Sequence, residues 1–91
     1  MRLDNWLIRA RFCKTRAHAW KIMSGPGFRL NGRIVSKVHT RVHIDDIIIM
    51  YLGPNLFEIT ISFLPDRRGS PSEARTWYHC IDLHTEADKN P

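Results

Sequence analysis

Helical spacing at both ends of the chain and a strand-rich middle predict an α+β fold, in which two N-terminal helices pack on a small, mostly antiparallel β-sheet and a C-terminal helix closes it. Three observations carry this. Apolar residues recur at i, i+3, i+4 and i+7 from Leu3, an Asn31-Gly32 pair stands between two short apolar runs, and Ser70-Pro71-Ser72-Glu73 has the spacing of a capped helix start. A chain of 91 residues suits one domain, expected over residues 1–83 with a frayed polar tail at 84–91.

The first helix follows from Leu3, Trp6, Leu7 and Ala10, which share a face, with Asp4 placed favourably against the positive end of the helix dipole. Phe12-Cys13-Lys14 breaks the pattern. Thr15 then caps a second helix that turns Ala19, Ile22 and Met23 inward and ends at Ser24-Gly25-Pro26-Gly27. Because Asn-Gly accepts the positive φ angles of a tight turn, Phe28-Arg29-Leu30 and Arg33-Ile34-Val35 are predicted as the paired strands of a hairpin. Val42-His43-Ile44, Asp46 to Leu52 and Leu56 to Phe63 are further strand candidates, the last two joined by a turn at Gly53-Pro54-Asn55. Beyond the capping box, Ala74, Trp77, Tyr78 and Ile81 keep helical spacing and predict a third helix over about 70–83.

The net charge of +5 conceals an asymmetry. Residues 1–43 hold ten Lys or Arg against the single acid Asp4, whereas residues 44–91 hold four bases against eight acids. Positive potential is thereby concentrated on one part of the fold, where a polyanion is attracted. Chemistry of other kinds has little to stand on. The sequence has no carboxylate pair in catalytic spacing, no nucleophile elbow and no phosphate-binding glycine loop, so no catalytic residue is expected. His39 and His43 in an extended segment would stand roughly 13 Å apart, too far to share one ion at about 2 Å, so neither a metal nor another cofactor is expected. Cys13 and Cys80 lack C-x-x-C spacing, which argues against a disulfide framework or zinc ribbon and for a reducing cytoplasm. The longest apolar run, Ile47 to Leu52, is too short for a signal peptide or membrane span.

Within the basic half, Lys14, Thr15 and Arg16 fall at the start of the second helix, where free backbone N–H groups and the helix dipole favour a phosphate. Arg33, Lys37 and Arg41 are spaced by four through the hairpin and the chain after it. With Arg2, Arg9, Arg11 and Lys21 these form the candidate set for contacting a polyanion. Trp20 has two readings, as a ring packed on the first helix beside Trp6 or as an exposed ring stacking on an unpaired base.

The order of these motifs is specific. Arg2-Leu3-Asp4 opening one helix, Lys14-Thr15-Arg16 opening the next, then Ala19, Gly25, Asn31-Gly32, Val35, Lys37, Val42 and Asp46-Ile47-Ile48 resembles the RNA-binding domain of the ribosomal protein S-four type, the alpha-L motif, over about Arg2 to Met50. Arg67-Arg68-Gly69, Glu73-Ala74-Arg75 and Tyr78 are similar to the C-terminal segment of the bacterial fifteen-kilodalton heat-shock, ribosome-associated family, which extends the resemblance to about Leu83. It departs at Pro26 and Trp20, where that family often has glycine or a polar or basic residue, and in the polar ending His84 to Pro91, where some members carry a long basic tail.

The resemblance implies a non-catalytic protein that binds ribosomal RNA on the large subunit, notably on free subunits holding peptidyl-tRNA, as a rescue or recycling factor. A monomer is expected. Two other readings stay open: a targeting module for a separate RNA-modifying enzyme such as a pseudouridine synthase, and a protein-interaction module using Ile47 to Leu52 and Leu56 to Phe63 as a pairing edge.

Overall fold

The structure, a computed structural model, describes residues 1–83, and the tail expected at 84–91 lies outside the described residues. The fold is α+β. Helices α1 (Leu3–Arg9) and α2 (Arg16–Met23) precede strands β1 (Arg29–Leu30), β2 (Ile47–Leu52) and β3 (Asn55–Ile61), followed by the single-turn helix α3 (Pro71–Ala74), a 3-10 turn (Arg75–Trp77) and strand β4 (Tyr78–Asp82). The strands form one antiparallel sheet in the order β1-β2-β3-β4.

Pairing Ile48 with Ile59 puts the apolar residues of β2 and β3 on one face, where Ile48, Met50, Ile59 and Ile61 are buried. They share a core with Leu3, Trp6, Leu7 and Ala10 of the first helical segment and Ala19 and Met23 of α2, the residues that helical spacing assigns to the inner faces. Trp6 is fully buried. Its indole N–H donates to the Phe63 carbonyl at 3.0 Å, and its ring stacks on Phe12 with centroids 5.7 Å apart.

That stack explains how α1 ends. Arg11 takes a left-handed φ of 70°, Phe12 N–H donates back to the Leu7 carbonyl at 2.9 Å, and Arg11 N–H to Ile8 at 3.1 Å. This is a Schellman ending with arginine where glycine is usual, and the Phe12 ring supplies its apolar closing contact. α2 starts as expected, with the Thr15 hydroxyl accepting from His18 N–H at 3.1 Å.

The Asn31-Gly32 turn forms, with φ of 52° and 82° and reciprocal bonds between Leu30 and Arg33 at 2.9 and 3.0 Å. Its second strand does not. Only one bridge, Leu30 to Arg33, is made, because the chain leaves the sheet to reach the N-terminus, where Arg41 bridges Arg2 and Leu3 N–H donates to the Thr40 carbonyl at 2.8 Å. Val42-His43-Ile44 is likewise not a sheet strand. Val42 N–H bonds the Met1 carbonyl, and His43 begins a turn that the Asp46 carboxylate closes by accepting from His43 N–H at 2.8 Å. Between β2 and β3, Gly53 has φ of 65° and Pro54 follows, so the proline's negative φ selects a II′ rather than a I′ hairpin turn.

The C-terminal helix is present but shorter than its spacing predicts. Ser70 and Glu73 form the capping box, yet only Pro71–Ala74 and the 3-10 turn are helical, and Tyr78–Asp82 pairs along β3. The backbone of β3 otherwise presents an unpaired edge, and Tyr78 fits between Phe12 at 4.8 Å and Trp6 at 6.1 Å. Trp77 closes the bend on Gly69, where a Cβ would collide with its buried ring. Gly69→Ala should therefore cost about 2 kcal/mol although the residue's backbone is not left-handed, a loss measured by urea denaturation. A neutral substitution would show that the Trp77 ring can move aside.

Candidate nucleic-acid interface

The loop between α1 and α2 and the start of α2 form the first of two basic depressions that make up the candidate interface. Arg11, Cys13, Lys14, Thr15, His18 and Arg68 line an open depression of about 420 Å³. Lys14 stands exposed beside the α2 N-terminus, an end of the helix whose dipole favours anions. Arg68, named in the sequence only within the Arg67-Arg68-Gly69 resemblance and not among the candidate contacts, reaches this depression from the acidic half and anchors itself by donating from Nε to the Ile8 carbonyl at 3.1 Å. Its signal was the Arg67-Arg68-Gly69 motif.

The second part is the Arg33–Thr40 loop. Asn31, Arg33, Ile34, Val35, Lys37 and Thr40 line a depression of about 450 Å³, and Arg33 and Lys37 are exposed. The loop is pinned at its start, where Asn31 Nδ2 donates to Asp46 at 3.0 Å and Asn31 Oδ1 accepts from Ile47 N–H at 2.9 Å. A hydrogen bond from the Thr40 hydroxyl to the Lys37 carbonyl, at 2.6 Å, holds its end. Lys21 and Arg41 are exposed at other points of the basic half.

The remaining candidates have work inside the protein. Arg2 holds Asp4 with two bonds, at 3.1 and 2.8 Å, and Arg9 donates to the Pro65 carbonyl at 2.8 Å. Arg11 donates to the Gly69 carbonyl at 3.0 Å while still lining the first depression. Arg16 bonds Asn5 at 2.9 Å and lies 3.5 Å from Asp4, so it is a tethered cation, not a free one.

Asp4 is the centre of this arrangement and was visible in sequence only as a first-turn acid. It is fully buried and accepts from Arg2, from Trp20 Nε1 at 2.9 Å and from Asn5 N–H at 2.8 Å. Burial works to raise its pKa, but the hydrogen bonds from Trp20, Arg2 and Asn5 and the Arg2 charge outweigh it and hold the carboxyl below its usual value. Trp20 is thus tied by its edge to Asp4 on α1, and part of its ring stays exposed.

Burial pushes the thiols of Cys13 and Cys80 up, so neither is poised as a thiolate at neutral pH. Among the described residues no three His, Cys, Asp or Glu side chains cluster as metal ligands, and no helix is long and apolar enough to cross a membrane.

Comparison with known proteins agrees with this geometry. The S4 domain matches residues 1–48. The chain belongs to the S4 domain family, the alpha-L RNA-binding motif. Heat shock protein 15 of Vibrio cholerae, solved as a trimer at 2.3 Å resolution, superposes with a TM-score of 0.84 at 29% identity, covering 99% of this chain and 92% of its own. A search of curated proteins found no match. The S4 match spans α1, α2, the Asn31-Gly32 turn and the start of β2, and so contains both depressions apart from Arg68.

Because the folded-state pKa of Asp4 lies below the unfolded value, its contribution to stability is complete above the unfolded pKa and fades as pH falls through the folded one. Asp4→Ala should cost about 3 kcal/mol near neutral pH and flatten the acid side of the stability profile below about pH 4. Urea denaturation of both proteins between pH 3 and 7 measures this; parallel profiles would remove Asp4 from its central place.

Proposed function

We propose that this protein is a non-catalytic RNA-binding factor that grips structured ribosomal RNA on the large ribosomal subunit and serves rescue or recycling of subunits that still hold peptidyl-tRNA. A cytoplasmic role follows from that target. The observation that carries the reading is the pairing of two cationic depressions, one at the α2 N-terminus with Arg11, Lys14 and Arg68, the other along Arg33 and Lys37. S4 family membership and the likeness to heat shock protein 15 support it. Phosphates suit such a surface because exposed lysine and arginine contribute through charge with little demand for base identity, and RNA helices are read largely by shape.

The RNA affinity should fall with salt at a slope of about −3 to −5 in log K against log salt, as expected for roughly five neutralised phosphates. Constant binding between about 50 and 300 mM salt would rule the reading out. Lys14 and Lys37 are better probes of the surface than Arg16, which holds Asn5 and Asp4. Lys14→Ala combined with Lys37→Ala should weaken RNA binding about tenfold and change stability by less than about 1 kcal/mol. Arg75→Ala, in the acidic half, is the matched control and should matter less. Equal losses in filter binding at one salt concentration would place the RNA surface elsewhere.

A further inference from the structure

Of the three tryptophans, Trp6 and Trp77 are buried, whereas Trp20 on α2 leaves 37% of its surface exposed. Its orientation is nevertheless fixed. The indole N–H donates to Asp4 Oδ2 at 2.9 Å, and Asp4 is buried and also accepts two bonds from Arg2. With Met23, Val35, Lys37 and Val38, the ring borders a groove of about 80 Å³. A groove of that size encloses no cofactor; it lies open to solvent, with the indole forming part of its wall.

The surroundings select the kind of planar group. Val35 and Lys37 also line the larger Arg33–Thr40 depression, so the groove opens into the cationic surface. No acidic side chain among the described residues lines either cavity. Arg16 lies one helical turn before Trp20 on the same helix, and Lys37 lines the groove itself. An anchored, half-exposed aromatic ring among cations matches a polyanion that carries flat rings, and every nucleobase offers a face to such a ring.

We propose that Trp20 is a stacking platform for an unpaired base, so that the protein selects RNA in which a single-stranded nucleotide adjoins the phosphates gripped by the α2 and Arg33–Thr40 surfaces. The proposal rests on the RNA-binding reading above and adds to it a preference for loops or bulges over continuous helix, whose bases are stacked on one another and cannot reach the indole.

The test compares a hairpin RNA carrying an unpaired loop with a fully paired duplex of equal length, using the wild-type chain, W20L and W20F, each checked for folding by thermal melting. W20L should bind the looped RNA about tenfold more weakly and the duplex within about twofold of wild type. W20F keeps a stacking ring but loses the bond to Asp4, and should stay within about threefold of wild type on the looped RNA. Looped RNA, and not duplex, should quench the fluorescence that Trp20 contributes. Unchanged binding by W20L, equal weakening on both RNAs, or equal weakening by W20L and W20F would each overturn the stacking role while leaving RNA binding intact. Failure of the wild-type chain to bind either RNA at low salt would overturn the RNA reading itself and this proposal with it.

Discussion

The buried carboxylate of Asp4 joins three parts of the chain that no apolar contact could fix in the same way. Arg2 brings the segment that bridges Arg41, Trp20 brings α2, and the Asn5 backbone belongs to α1. An isolated carboxylate removed from water would be strongly destabilising, whereas one that accepts several charge-assisted or oriented bonds sets an angle between elements as well as a distance. The angle between α1 and α2, which the shared core of Trp6, Leu7, Ala19 and Met23 also holds, decides where Lys14 and the start of α2 point relative to the Arg33–Thr40 loop. Through Arg16, 3.5 Å away, the same carboxylate also restrains a cation at the edge of that surface.

The excess of positive charge in residues 1–43 therefore has two uses. Arg2, Arg9 and Arg16 are bonded to protein groups, while Lys14, Lys21, Arg33, Lys37 and Arg41 face solvent. The inward positions are all taken by arginines, because a planar fork can satisfy a carboxylate or reach a backbone carbonyl with a fixed geometry, although Arg33 and Arg41 also face solvent. Lysines, compact and flexible, remain outside as point charges. Composition alone gives only the sum, since a tethered arginine and a free one count equally.

Much of the architecture was legible in the sequence, for reasons that are local. Leu3, Trp6, Leu7 and Ala10 form a buried stripe because helical period alone puts them together, and Thr15, Asn31-Gly32 and Ser70-Glu73 act within a few residues of themselves. The misreadings arose where a distant partner competed. Tyr78 and Ile81 have helical spacing with Ala74, but the open edge of β3 gives their backbone a sheet to join. Ile34 and Val35 follow a sound hairpin turn, but the chain is drawn toward Met1–Leu3 instead. For the candidate site, Lys14, Thr15 and Lys37 are named by the sequence and stand exposed in the fold. The roles of Asp4 and Arg68 could not be read there, because each depends on contacts made across the folded chain.

The acidic half contributes to the basic surface by supporting it. Residues Phe63 to Gly69 lie along α1: the Phe63 and Pro65 carbonyls accept from Trp6 and Arg9, the Gly69 carbonyl accepts from Arg11, and Gly69 N–H and Arg68 donate back to the Arg9 and Ile8 carbonyls. The Gly69 N–H satisfies the Arg9 carbonyl at the helix end, while Arg68 adds a second donor to the Ile8 carbonyl, which already accepts from Arg11 N–H, and carries charge into the first depression. The S4 motif of residues 1–48 thus ends its first helix against a segment that lies outside it. The strained Arg11 conformation, on which the direction of the Lys14 loop depends, is held from both sides, by the Phe12 stack on Trp6 and by the bond to Gly69. A substitution in the Phe63 to Gly69 segment would accordingly disturb the cationic surface through the end of α1, without altering any of the lysines exposed there.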